Sequence, residues 1–127
     1  MLRNQVVLIV EDEAFTALTL AGAIEDAGGC VVGPVGTVAE ALVLIGTQEI
    51  SAAVLDANLA DRDITPVAVI LAGKKVPFVV FSGTGLPSEL AAIQPDIPVV
   101  MKPAALKVVL ERLVEQIKGV DREVCTS

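Results

Sequence analysis

The sequence predicts an α/β fold, a doubly wound parallel sheet of five strands with helices on both faces, and three observations predict it. Short apolar runs rich in Val, Leu and Ile recur along the chain; longer helix-compatible stretches separate them; and the runs are near-continuously apolar instead of alternating with polar residues. A strand with one wet face alternates, whereas a strand covered by helices on both sides has no solvent-facing positions to make polar.

In order, the strands are Val6 to Val10, Cys30 to Val32, Ala52 to Leu55, Phe78 to Phe81 and Ile97 to Met101. The first helix, Phe15 to Ala27, is Ala/Leu-rich and stops at Gly28-Gly29, where a positive φ costs nothing. Thr37-Val38-Ala39-Glu40 is a capping box that opens a short second helix, closed by Gly46. Thr65-Pro66 places a cap before a proline that needs no N–H, and the third helix runs to Leu71 or Gly73. Leu86 to Ile93 is a weaker fourth helix between Gly85 and Pro95. Pro103 opens the fifth, where Leu106, Leu110, Leu113 and Ile117 recur at helical spacing. Residues 1–120 form one domain and 121–127 a flexible C-terminal tail.

Composition narrows the function. Of 127 residues, 54% are hydrophobic, with three Phe, no Tyr and no Trp, so Val, Leu, Ile and Ala must build the core. Nine Lys and Arg against sixteen Asp and Glu leave a net charge of −7, which disfavours a nucleic-acid partner. Mean hydropathy is high at +0.72. Yet charges, Gly and Pro break every apolar stretch before the ~18 residues of a membrane span, and the N-terminus lacks the pattern of a secretory signal. A cytoplasmic protein is expected. Cys30 reads as a buried thiol and Cys125 as an incidental one in the tail, with no spacing for zinc or a disulfide framework. Phe15, Phe78, Phe81 and Met101 read as core.

In an open parallel sheet, ligands bind beyond the carboxyl ends of the strands. Those ends carry Glu11 and Asp12 after the first strand, Asp56 after the third, Ser82 at the fourth and Lys102-Pro103 after the fifth. Gathering three carboxylates is costly, since two like charges about 4 Å apart repel by ~4 kcal/mol at an effective dielectric of 20. Lys102 offers one relief; a hard divalent cation with open positions, Mg2+, offers another. The chain has no histidine, so a His-based triad or a His-ligated metal is excluded. Taken singly, Glu11-Asp12-Glu13 could be an acidic helix start, Asp56 a turn cap, Ser82 a ligand of its own loop and Lys102 a solvated side chain. Their joint arrival at one edge makes a site the stronger reading.

Val10-Glu11-Asp12, Leu55-Asp56-Ala57-Asn58, Phe81-Ser82-Gly83 and Met101-Lys102-Pro103 together resemble the motifs of response-regulator receiver domains, from Val6 to about Gly119. The resemblance implies a flavodoxin-like sheet in the order 2-1-3-4-5 and a phosphorylation-activated module of two-component signalling. It makes Asp56 the acceptor of a phosphoryl group from a histidine kinase or phosphotransfer protein. Asp12 and Asp56 would ligate Mg2+ directly, Glu11 through water and Asn58 by its backbone carbonyl, with Ser82 and Lys102 reaching the phosphoryl oxygens. No separate enzymatic activity is implied beyond self-phosphorylation and autodephosphorylation.

Two departures stand out. Val99 occupies the place of the family's switching aromatic, three residues before the Lys, and Gly83 replaces the usual Ala after the Ser. Pro77-Phe78-Val79-Val80-Phe81-Ser82-Gly83 resembles in part the signature of stand-alone receivers nicknamed FAT GUY, with Val80 and Phe81 out of its order. Output is expected through protein contact on the helix 4, strand 5 and helix 5 face, where Leu86, Leu90, Ile93, Val108 and Val109 would meet a target or a second copy of the chain. The alternatives are a phosphatase or phosphotransferase with an aspartyl-phosphate intermediate, a phosphate sink, a flavin-binding sheet protein and an interaction domain with a vestigial site. Asn58 stands where such a phosphatase needs a second Asp, and no phosphate loop or covering aromatic suits a flavin.

Overall fold

Alternate residues of a strand face opposite sides of a sheet, and here that alternation divides the apolar side chains between two cores. A computed structural model describes residues 2–126, with side chains described for 2–119. The strands are β1 (Val6–Val10), β2 (Cys30–Val35), β3 (Ala52–Leu55), β4 (Phe78–Ser82) and β5 (Val99–Met101). Between and after them run α1 (Ala14–Asp26), α2 (Val38–Thr47), α3 (Thr65–Gly73), α4 (Ser88–Ile93) and α5 (Leu106–Thr126). All strands are parallel, in the order β2-β1-β3-β4-β5. Val7, Ile9, Val54, Val79 and Phe81 pack with Leu20 and Ile24 of α1 and Val109 and Leu113 of α5. Leu8, Val10, Leu55 and Val80 pack the other way, with Ala41 of α2, Val67 and Leu71 of α3 and Leu90 of α4. The flavodoxin-like fold class expected from the sequence is the one observed. Among the described residues no helix is long and apolar enough to cross a membrane.

Several boundaries differ for local reasons. β2 continues past Gly33-Pro34 because the pair forms an irregularity: Leu8 faces Val32, but Val10 faces Val35, so pairing resumes beyond it. Gly33 has φ +94°, and a Cβ there would stand 3.0 Å from both the Ile9 carbonyl oxygen and the Val35 nitrogen. Gly33→Ala is therefore expected to cost about 1–3 kcal/mol, read in urea as a lower midpoint at unchanged slope. α2 passes Gly46 and ends at Thr47. α4 begins at Ser88, since Pro87 holds the residue before it out of helical conformation. α5 begins at Leu106, three residues after Pro103. The tail expected over 121–127, Cys125 included, lies outside the residues whose side chains are described.

Three packing expectations are corrected. Cys30 is exposed, because it opens an edge strand. Phe15 is 76% exposed: α1 buries Ala17, Leu20 and Ile24, and Phe15 lies off that stripe at the end of the helix nearest the sheet's carboxyl edge. Met101 is 51% exposed, at the tip of edge strand β5 on the face that the short α4 leaves uncovered. Phe78 and Phe81 are core, as expected.

Candidate functional site

Register brings the site residues together. Val10 pairs with Leu55 and Leu55 with Val80, so β1, β3 and β4 reach the carboxyl edge in step. Backbone bonds then pin the residues that follow. The Glu11 N–H donates to the Val35 carbonyl at 2.9 Å, Asp56 N–H to Val10 at 2.8 Å and Lys102 N–H to Ser82 at 2.8 Å. Carboxylate oxygens of Glu11, Asp12 and Asp56 lie within 4.8 Å of one another. Lys102 Nζ donates to Glu11 Oε1 at 2.8 Å, stands 3.8 Å from Asp56 Oδ2 and lies 5.2 Å from the centre of the Phe81 ring. Glu11 and Ser82 are buried, Asp56 and Lys102 half-buried, and Asp12 and Asn58 exposed.

The acidic run after β1 divides its labour. Glu13 caps α1, accepting from the N–H of Thr16 at 2.7 Å and of Phe15 at 3.2 Å, and from the Thr16 hydroxyl. Glu11 and Asp12 are left to face Asp56. The β3–α3 loop is tied down similarly: Asp61 accepts from the N–H groups of Val38 and Ala39 at 2.9 and 3.1 Å, across more than twenty residues, and Asp63 accepts from Thr65 N–H at 2.9 Å. Asp61 thus shares the capping of α2 with Thr37, which accepts from Glu40 N–H at 3.1 Å.

Crowded carboxyls separate in acidity. Burial, a hydrogen bond shared with Glu11 and the Glu11 charge push Asp56 up to about 7 against the partial relief of Lys102 and the Asn58 N–H. Burial also works to raise Glu11. Its hydrogen bonds with Asp56, Lys102 and the Glu13 N–H outweigh that and hold it below the usual carboxylate range. Of the pair Glu11 and Asp56, Asp56 is thus the carboxyl that keeps a proton longer as pH rises, and Lys102, 2.8 Å from Glu11 Oε1, offsets the charge of Glu11. An oxygen-only donor set of this charge fits a hard divalent cation: three carboxylates share one opening, and Asp12 is exposed to complete a shell with water.

Ser82 is engaged by its own loop. Its hydroxyl donates to the Gly85 carbonyl at 3.1 Å and accepts from Thr84 N–H at 3.0 Å. Asn58 Nδ2 donates to Thr84 Oγ1 at 2.9 Å, and Thr84 Oγ1 is 3.3 Å from Ser82 Oγ. Thr84 was not singled out by sequence reasoning. The available signal was a second hydroxyl two residues beyond Ser82 at the same edge. Phe15, Thr16, Thr19, Phe81, Lys102, Pro103, Ala104 and Leu106 line a cleft of about 310 Å³ beside Lys102.

No protein-family model matches the sequence, and no curated protein matches it. Solved structures do. SdrG from Sphingomonas melonis Fr1 is 36% identical, with a TM-score of 0.72 over 87% of this chain and 96% of that one. The non-phosphorylated HemR receiver domain from Leptospira biflexa is 26% identical, with a TM-score of 0.77 over 90% and 94%. A CheY-like response regulator receiver domain protein from Methanospirillum hungatei JF-1 is 20% identical, with a TM-score of 0.82 over 94% and 98%, a likeness of fold.

Proposed function

The chain belongs to the receiver domains of response regulators, and from that premise we propose that Asp56 accepts a phosphoryl group from a phosphohistidine of a kinase or phosphotransfer protein. The observation that carries the reading is the convergence of Glu11, Asp12, Asp56 and Lys102 at one sheet edge. An ionised Asp56 oxygen attacks phosphorus; the new O–P bond forms as the N–P bond breaks, and the bonding pair stays on the imidazole nitrogen, which takes up a proton. Charge spreads over the phosphoryl oxygens during transfer, so catalysis is chiefly positioning and neutralisation. Asp12, Asp56 and the Asn58 backbone carbonyl would hold Mg2+, with Glu11 acting through water, and the ion would supply part of that neutralisation. Lys102 supplies the rest: it already stands 3.8 Å from Asp56, and new negative charge there draws it from Glu11. Ser82 gives its proton to a phosphoryl oxygen. Asn58, with its amide committed to Thr84, offers no general acid, which favours a signalling module over a phosphatase.

The signal leaves through protein contact. Of the apolar residues expected on the output face, Leu90 and Val109 are fully buried, Leu86 half-buried, and Ile93 and Val108 are 55% and 43% exposed. Ile93, Val108 and Met101 are thus the exposed apolar side chains that these elements offer a target or a second copy of the chain. With Val99 unable to swing a ring, the message passes through the β4–α4 loop to α4, a helix in which Leu90 alone is buried. Mass spectrometry after acetyl phosphate and Mg2+ tests the reading. One hydroxylamine-labile phosphoryl group on Asp56 is expected, and its absence would overturn the assignment.

A further inference from the structure

The hydroxyls at the mouth of the site form a directed chain. Asn58 Nδ2 donates to Thr84 Oγ1 at 2.9 Å; Thr84 Oγ1 then has its own proton to give toward Ser82 Oγ at 3.3 Å; and Ser82 gives its proton to the Gly85 carbonyl at 3.1 Å. Each hydroxyl accepts from one side and donates to the other, an arrangement in which neighbouring bonds polarise and strengthen one another. Ser82 is buried and has one proton, so it cannot serve the Gly85 carbonyl and a group on Asp56 together. Gly85, at φ +81°, ends the chain at a backbone position that few other residues adopt.

We propose that Thr84 is a positioning residue: held by Asn58, it latches the β4–α4 loop in the conformation that keeps the Ser82 proton occupied, so that loading Asp56 must break the latch. The inference rests on the phosphoacceptor reading above and adds a residue that sets its energetic threshold. Asn58 follows Asp56 by two positions and Thr84 follows Ser82 by two, so the bond joins the acceptor loop directly to the loop that leads into α4. Breaking it couples what happens at Asp56 to the release of α4.

The test is calorimetric titration of the full chain with beryllofluoride in excess Mg2+, comparing wild type with Thr84→Val, which keeps the shape and loses the hydroxyl, and Thr84→Ser, which keeps the hydroxyl. Thr84 is exposed, so neither change disturbs the core. Removing one modest hydrogen bond from the unloaded side of the equilibrium is expected to tighten beryllofluoride by about fivefold in Thr84→Val. Thr84→Ser should stay at the wild-type value, and affinity for Mg2+ alone should be the same in all three proteins. Equal or weaker beryllofluoride binding by Thr84→Val overturns the latch, as does equal tightening by both variants, which would make side-chain size the cause. Failure of the wild type itself to bind beryllofluoride would instead overturn the phosphoacceptor reading, and the latch with it.

Discussion

Asp56→Asn is expected to take up no phosphoryl group from acetyl phosphate and Mg2+, while remaining folded and becoming more stable than the wild type in metal-free buffer at pH 8. The first result follows from chemistry: an amide oxygen lacks the negative charge that makes the carboxylate a nucleophile, and mass spectrometry should show no adduct. The second follows from the site's electrostatics. Asp56 is held near 7 by burial and Glu11, so at pH 8 the folded chain must keep an ionised carboxyl where it is disfavoured. A rise of about 3 pH units corresponds to about 4 kcal/mol as an upper limit; solvent screening at this half-buried group leaves on the order of 1–2 kcal/mol. Asparagine removes that conflict, and Lys102 keeps its 2.8 Å contact to Glu11. Phosphorylation that persists in the variant would place the acceptor elsewhere.

Stability of the metal-free protein should peak near pH 4.5, fall as pH rises from there to about 7 and level off above it, and fall again in acid. Asp56 is raised in the folded chain, so its contribution is fully present below the unfolded value near 3.8, is lost progressively as pH rises from there, and is gone once pH has climbed through about 7. Glu11 is lowered from 4.5, so its contribution is present above that value and disappears as pH drops through its folded value. Asp61 and Asp63, lowered by the N–H groups they cap, add to the acid limb. Saturating Mg2+ should reverse the alkaline limb, because the ion binds ionised Asp56; apparent affinity should weaken about tenfold per pH unit below 7 as each ion displaces one proton. Thermal unfolding by far-ultraviolet circular dichroism from pH 4 to 9, with EDTA or Mg2+, measures both limbs, and Asp56→Asn should flatten the alkaline one. A metal-free melting temperature unchanged between pH 5 and 7 would contradict the raised pKa of Asp56.

Much of this was legible in the sequence because strand burial and strand ends are local properties. Val6 to Val10 and Ala52 to Leu55 are uniformly apolar, and the polar residue that follows each must lie at the carboxyl edge. What escaped depended on contacts between distant segments or on the limits of coverage. Gly33-Pro34 looks like the end of a strand, yet β1 supplies partners on both sides of it. Phe15 and Met101 are apolar in character but stand outside both packed cores, at the carboxyl edge. Asp61 looks like an ordinary loop acid, and only the fold shows it capping α2. Thr84 stands between two glycines in the sequence, and nothing in those neighbours reveals that Asn58 faces it.

The sheet also acts as a partition. Side chains beneath α1 and α5 share no interior with those beneath α2, α3 and α4, the two groups meeting only through the backbone of the strands between them. A lineage can therefore remodel the filling of one compartment, and with it the surface that compartment supports, while inheriting the other intact.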